Sequence, residues 1–153
     1  MILAKDLKAA LNSVISGLYP EGYRIYGREV TEGYLKPSFF TELKLLNCMN
    51  LSKSYRFFQY GYYITYFQKE SPNGRKDEVD ALDKWDELRN AFGLKIHVGD
   101  RYLNIKSLSH DWVGEKRDIL QISLYIDFYE EIPRIETAPI MQVLALNEKL
   151  EVN

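Results

Sequence analysis

The sequence predicts an α+β domain: a mostly antiparallel sheet with two helices packed on one face, plus a C-terminal extension. Three observations lead there. Two segments bring large apolar residues back at three- and four-residue steps, the period of a helix. Several others alternate apolar and polar residues, the period of a strand, and two of them are joined by a loop of hairpin length. Beyond Ile132 neither period persists. The domain is therefore bounded at residues 1–132, with residues 133–153 as a C-terminal arm or tail.

Near the N-terminus Leu3, Leu7, Leu11, Val14, Ile15 and Leu18 fall along one stripe of a helix, with Gly17 and Pro20 as stop signals. A short strand around Tyr23 to Tyr26 and a glycine-punctuated turn come next. "KPSFFTELKLL" (residues 36–46) alternates as a strand, "NCMNLSKS" is polar enough for a loop, and "YRFFQYGYYITYF" (residues 55–67) forms the returning strand. The run "ESPNGRKDEVDALDKWDELRNAFG" predicts a helix capped by Ser71 or Asn73 and stopped by Gly93. Its buried stripe is expected at Val79, Leu82, Trp85, Leu88 and Phe92, with Asp80 and Lys84 as an i,i+4 pair on the wet side. A hairpin turning at Gly99-Asp100 follows, then a connection at "HDWVGEKRD". In "DILQISLYIDFYEE" Leu120, Ile122, Leu124, Ile126 and Phe128 face one way, and Gln121, Ser123, Tyr125, Asp127 and Tyr129 the other.

The chain has 153 residues, 46% of them hydrophobic and 27% charged, with a net charge of -2. That is enough for a core without staples, and it gives no general attraction to nucleic acid or anionic lipid. A lone Cys48 forms no internal disulfide, and Lys5, Asp6 and Lys8 interrupt any leader-like apolar run. A cytoplasmic protein without a membrane segment is expected. Sites of chemistry are harder to find. His97 lies within a strand-like alternation; Ser109, His110 and Asp111 are consecutive, whereas a nucleophile, base and orienter must converge in space. Asp77, Asp80, Asp83 and Asp86 drift around a helix among Lys76, Lys84 and Arg89 and read as a solvated face. No catalytic residue, no cofactor site and no metal site is expected.

The residues left to explain are aromatic. In the strand from Tyr55 to Phe67 the even positions Phe58, Tyr60, Tyr62, Ile64 and Tyr66 belong under the helices. That turns Tyr55, Phe57, Tyr63 and Phe67 outward, and Tyr125 and Tyr129 join them if the last strand shares the sheet. So many rings on one outer face call for a cover. It could be the chain's own tail, another copy of the chain, or the bases of a single-stranded nucleic acid stacked on an aromatic platform. The apolar patch at Ile140, Met141, Val143, Leu144 and Leu146 suits an arm that docks on a neighbour.

"IYGREVTEGYLKPSFFTEL", "DALDKWDELRNAFG" and "VGDRYLNIKSLSHDWVGEKRDILQISLYIDF", in that order and spacing, resemble the tail terminator family of long-tailed bacteriophages and prophages, also called tail completion or head-to-tail joining proteins. The likeness spans roughly residues 3 to 130. It implies a structural subunit, not an enzyme, that joins other copies of itself in a ring, commonly a hexamer. Such a ring sits on the tail tube protein, stops its polymerisation and receives the head-completion or connector protein. DNA passes through the lumen without sequence-specific binding. The implied location is the virion tail, reached after assembly in the host cytoplasm. On this reading the surface meeting a neighbouring subunit or the tube is built from Tyr55, Phe57, Tyr63, Tyr125 and Tyr129, with Ile140, Met141 and Val143 on the arm.

Overall fold

The computed structural model describes residues 1–27, 34–69, 71 and 73–134. Along them run α1 (Ala4–Leu18), β1 (Arg24–Tyr26), β2 (Ser38–Asn50), β3 (Tyr55–Phe67), α2 (Glu78–Phe92), β4 (Lys95–Val98), β5 (Arg101–Val113) and β6 (Ile119–Glu131). The strands form a six-stranded sheet in the order β1-β2-β3-β6-β5-β4. Every neighbouring pair is antiparallel except β1 with β2. The predicted α+β class, with two helices over one face of a mostly antiparallel sheet, is the class observed.

Alternation in β3 and β6 decides which face the helices cover. Tyr62, Ile64 and Tyr66 of β3 and Leu120, Ile122, Leu124, Ile126 and Phe128 of β6 are all buried. They meet Leu7, Leu11 and Ile15 of α1 and Ala81, Leu88 and Phe92 of α2 in one core. Two hydroxyls within it are satisfied by the helices. The Tyr62 hydroxyl donates to Asn12 Oδ1 at 2.5 Å, and the Tyr66 hydroxyl donates to Asp80 Oδ2 at 2.8 Å. Buried tyrosines contribute ring area to the core while their polar tips still find partners.

The sequence-based expectations need correction at four places. Helix α1 continues through Gly17 to Leu18 and ends at Tyr19, whose N–H bonds the Ile15 carbonyl. Strand β2 does not end near Leu46. It runs on to Asn50, paired opposite Arg56, across a bulge at Leu46. "NCMN" is thus strand, and the turn is confined to residues 51–54. Polar composition suggested a loop because this part of β2 has no core beneath it: Lys44 to Asn50 are exposed throughout. Backbone pairing, not burial, carries the strand there. In the same way β5 continues through "HDWV" to Val113, and only residues 114–118 connect it to β6.

The fourth correction concerns α2. Its cap is Asp77, whose Oδ1 accepts from the N–H of Val79 at 3.0 Å and of Asp80 at 3.3 Å. Gln68 fixes that start by a two-way clamp: its amide donates to the Asp77 carbonyl at 2.6 Å and accepts from the Asp77 N–H at 2.8 Å. Ser71 instead donates to the Arg75 carbonyl. The buried stripe is also rotated from the expected one. Val79 is 66% exposed and Leu82 is exposed, while Lys84, expected on the wet side, is only 7% exposed. Its stem lies under the rings of Tyr19 and Tyr23, with Nζ 5.3 Å from each centroid, and its ammonium meets Asp80 at 3.6 Å and Glu87 at 3.7 Å. A long cationic side chain can bury its methylenes wherever its head finds partners, and a pattern based on apolar residues passes over it.

This cluster is completed by Tyr19, whose hydroxyl donates to Glu87, and by Phe39 and Tyr66, whose rings stack 5.0 Å apart. Burial, then the bond to Asp80, raises the Tyr66 phenol far above its ordinary value; burial and then Glu87 do the same for Tyr19. For Lys84, burial works to lower the ammonium, but the hydrogen bond it donates to Tyr23 and the two carboxylates outweigh it, and the net shift is upward. All three groups hold their protons more tightly folded than unfolded, so their contribution is complete below the unfolded values and declines as pH climbs past them. Stability should therefore stay level to about pH 9 and fall above about pH 10, where free tyrosines ionise. Thermal midpoints measured across that range should show a shallower fall for Tyr66→Phe. Asp77→Ala should cost about 1 kcal/mol as the loss of a helix cap, read as a lower urea midpoint at unchanged slope, whereas Val79→Ala should leave the midpoint nearly unmoved.

Candidate interaction surface

The face of the sheet turned away from the helices carries the outer residues of β2, β3, β5 and β6. Register fixes which they are. Opposite Thr65, Tyr63, Gly61 and Phe57 of β3 stand Phe40, Glu42, Lys44 and Met49 of β2 on one side and Gln121, Ser123, Tyr125 and Tyr129 of β6 on the other. Aromatic rings gather on this face in three groups.

At the tip of the β2–β3 hairpin the Phe57 and Tyr129 rings lie 5.3 Å apart, beside Tyr55 and Met49. Tyr55 is 48% exposed, Tyr129 58% and Met49 46%. In the middle, Tyr63 and Tyr125 meet edge to face at 6.3 Å and 88°. Burial and then the neighbouring Tyr125 raise the Tyr63 phenol. Gly61 makes this possible, because the Tyr63 ring lies over it so closely that a Cβ there would stand 2.8 Å from the Tyr63 hydroxyl oxygen. Beside the pair, Lys106 Nζ meets Asp127 Oδ2 at 2.9 Å. At the far end Phe40 and Phe67, 4.8 Å apart, are joined by Tyr34 and Tyr26.

The five predicted residues Tyr55, Phe57, Tyr63, Tyr125 and Tyr129 thus share one face, and four of them form two ring pairs. Ile140, Met141 and Val143 lie outside the described residues. What the sequence analysis missed is on β2 and around it. Phe40 belongs to the outer face, where the chain covers it and Phe67 with its own Tyr34. Met49 and Leu51 lie in a stretch whose polar composition reads as a loop; the bulge at Leu46 breaks the alternation that would have marked it as strand.

Beside the tip an open cleft of about 780 Å³ is lined by Tyr55, Arg101, Tyr129, Glu131 and Arg134 among others. Arg101 braces it, donating to the Tyr129 carbonyl at 3.0 Å and pairing with the buried Glu130 at 3.5 Å. Glu130 also accepts from the Ile2 N–H, and the Ile132 N–H donates to the Ser54 carbonyl at 2.8 Å, so the N-terminal residues and the residue after β6 are both anchored at this corner.

The remaining candidates for chemistry are dispersed. In β5, Ser109 and Asp111 stand opposite Ser123 and Gln121 on the outer face, and His110 stands opposite Ile122 on the other, with its ring 4.7 Å from Trp85. The three consecutive residues do not converge. His97 stacks on Tyr102 at 4.6 Å. Among the described residues no group of three or more His, Cys, Asp or Glu is placed to hold a metal ion, and no helix is long and apolar enough to cross a membrane.

A family model described as "Phage tail terminator protein" matches residues 6–138. No curated protein matches the sequence. Among solved structures, one chain is similar at 9% identity and a TM-score of 0.49, the likeness covering 89% of this chain and 100% of that one.

Gly61→Ala should push the Tyr63 ring off the sheet and part it from Tyr125. Because the obstacle is the far end of a surface side chain, the change in stability should stay within about 1 kcal/mol. Near-ultraviolet circular dichroism should report the altered tyrosine environment while the urea midpoint holds; a loss of about 3 kcal/mol would show the ring to be fixed where it lies.

Proposed function

The chain belongs to the phage tail terminator family, and from that premise we propose that it is the subunit of a homo-oligomeric ring, a hexamer, that caps the tail tube and halts its polymerisation. Membership itself assigns a structural role in tail completion, a place in the virion tail and association with tail and head components. In the finer proposal the ring seats on the tube protein on one side, offers the joining surface to the head connector on the other, and lets DNA pass through its lumen. The chain assembles from the host cytoplasm.

The observation that carries the proposal is the match over residues 6–138. The outer face supports it. Tyr55, Tyr129 and Met49 are large, largely exposed and adjacent, the composition of an interface core rather than of a solvated surface. A protein partner for that surface agrees with family membership. A single-stranded nucleic acid is less well served: Tyr63 and Tyr125 stand at 88° to each other instead of offering parallel faces to successive bases.

Deletion of the gene from a producing phage or prophage should yield tails of abnormal length, or tails without heads, in electron micrographs, and a plasmid copy should restore normal particles. Normal infectious virions from the deletion strain would overturn the assignment. In the same complementation test Tyr55→Ala with Tyr129→Ala should lower the titre by on the order of tenfold or more, since aromatic anchors at an interface each contribute about 1–2 kcal/mol or above, with the isolated protein as stable as the parent.

A further inference from the structure

Two surfaces of this chain are each incomplete, and they complement one another. The first is the overhanging hairpin. From Leu43 to Lys69 the sequence contains no Asp or Glu, while Lys44, Lys53, Arg56 and Lys69 are all basic. Leu45, Met49, Leu51 and Tyr55 are exposed along it, and Lys44 and Lys53 have no ion pair among the described residues. The second surface is the outward stripe of α2. Val79 and Leu82 stand exposed there, one helical turn apart, beside Asp83, while Asp86 already pairs with Arg89 at 3.1 Å. Glu78 and Asp83 likewise have no ion pair among the described residues.

We propose that the hairpin tip of one copy docks on the outward stripe of α2 of the next copy, Met49, Leu51 and Tyr55 covering Val79 and Leu82, and Lys53 facing Asp83. The two surfaces cannot meet within one chain. Tyr66, whose hydroxyl reaches α2 at Asp80, is separated from Tyr55 by about 35 Å of strand at ~3.3 Å per residue. Helix α2 also lies on the face of the sheet opposite Met49 and Phe57. The contact is therefore heterologous, head to tail, and such a contact propagates until the rotation closes a ring. Sign and shape agree on the occupant: a nucleic acid would answer Lys53 but not Met49 and Leu51, and an apolar partner without carboxylates would leave Lys53 unpaired. The proposal rests on the ring assigned above and specifies which surfaces build it.

The test uses the full chain with Cys48→Ser, so that introduced cysteines are the only thiols. Met49→Cys combined with Leu82→Cys, oxidised at high protein concentration, should give disulfide-linked species running past the dimer, while each single variant stays largely monomeric. A double variant that remains monomeric or stops at the dimer overturns the proposal, as does a single variant that dimerises as readily as the double one crosslinks. Lys53→Glu should reduce the crosslinked ladder by on the order of tenfold, since reversing the charge turns attraction into repulsion, and adding Asp83→Lys should restore it. No reduction, or no restoration in variants whose circular dichroism is native, also overturns it. Crosslinking is read on purified protein and so separates from the genetic test. A chain that fails to ladder yet complements the deletion refutes this contact and leaves the tail role; one that ladders while the deletion strain makes normal virions refutes the tail role and leaves the contact.

Discussion

The pairing of β3 with β6 constrains everything else in the molecule. It is unbroken from Tyr55 opposite Glu131 to Tyr66 opposite Leu120, and β2 holds the other side of β3 over nearly the same length. A strand flanked along its whole length cannot slip by one residue without turning each of its side chains to the opposite face. Tyr62, Ile64 and Tyr66 are thereby committed to the helices, and Phe57, Tyr63 and Phe67 to the outside. The location of the core and the chemistry of the outer face are two results of one register.

The helices answer that constraint with polar as well as apolar groups. Beneath α2 the rings of Tyr19 and Tyr23 receive Lys84, whose ammonium meets Asp80 and Glu87. The Tyr66 hydroxyl takes the Asp80 oxygen the ammonium leaves, and the Tyr19 hydroxyl shares the Glu87 oxygen with it. Each member of such a network would be costly alone and is tolerable because the rest are present. The orientation of α2, and with it which of its residues face solvent, is set by this cluster more than by the count of leucines on the helix.

What was legible in the sequence follows from the same physics. Strands β3 and β6 have a core on one side and none on the other, so their period of two is plain, and the five rings Tyr55, Phe57, Tyr63, Tyr125 and Tyr129 were placed on one face from it. Both helices were legible as elements, but the rotation of α2 was not, because Lys84 buries its stem while Val79 stays exposed. The distal half of β2 was illegible since nothing lies beneath it. The parallel pairing of β1 with β2 depends on where the chain returns after Tyr26, which no local pattern encodes. The ordered set of segments that resembles tail terminators was informative where each segment alone was not, and the family match agrees with it.

The overhang of the β2–β3 ribbon separates two demands usually entangled in a small protein. Between Lys44 and Tyr60 no residue is fully buried, whereas from Gly61 to Gln68 every second or third one is. Phe58 and Tyr60 still lean on the core through Phe128, but the exposed positions of the ribbon, Leu45, Met49 and Leu51 among them, bear little of the folding free energy. If the ribbon makes the contact between copies proposed above, a lineage could rewrite its self-recognition there while the core stays as it is.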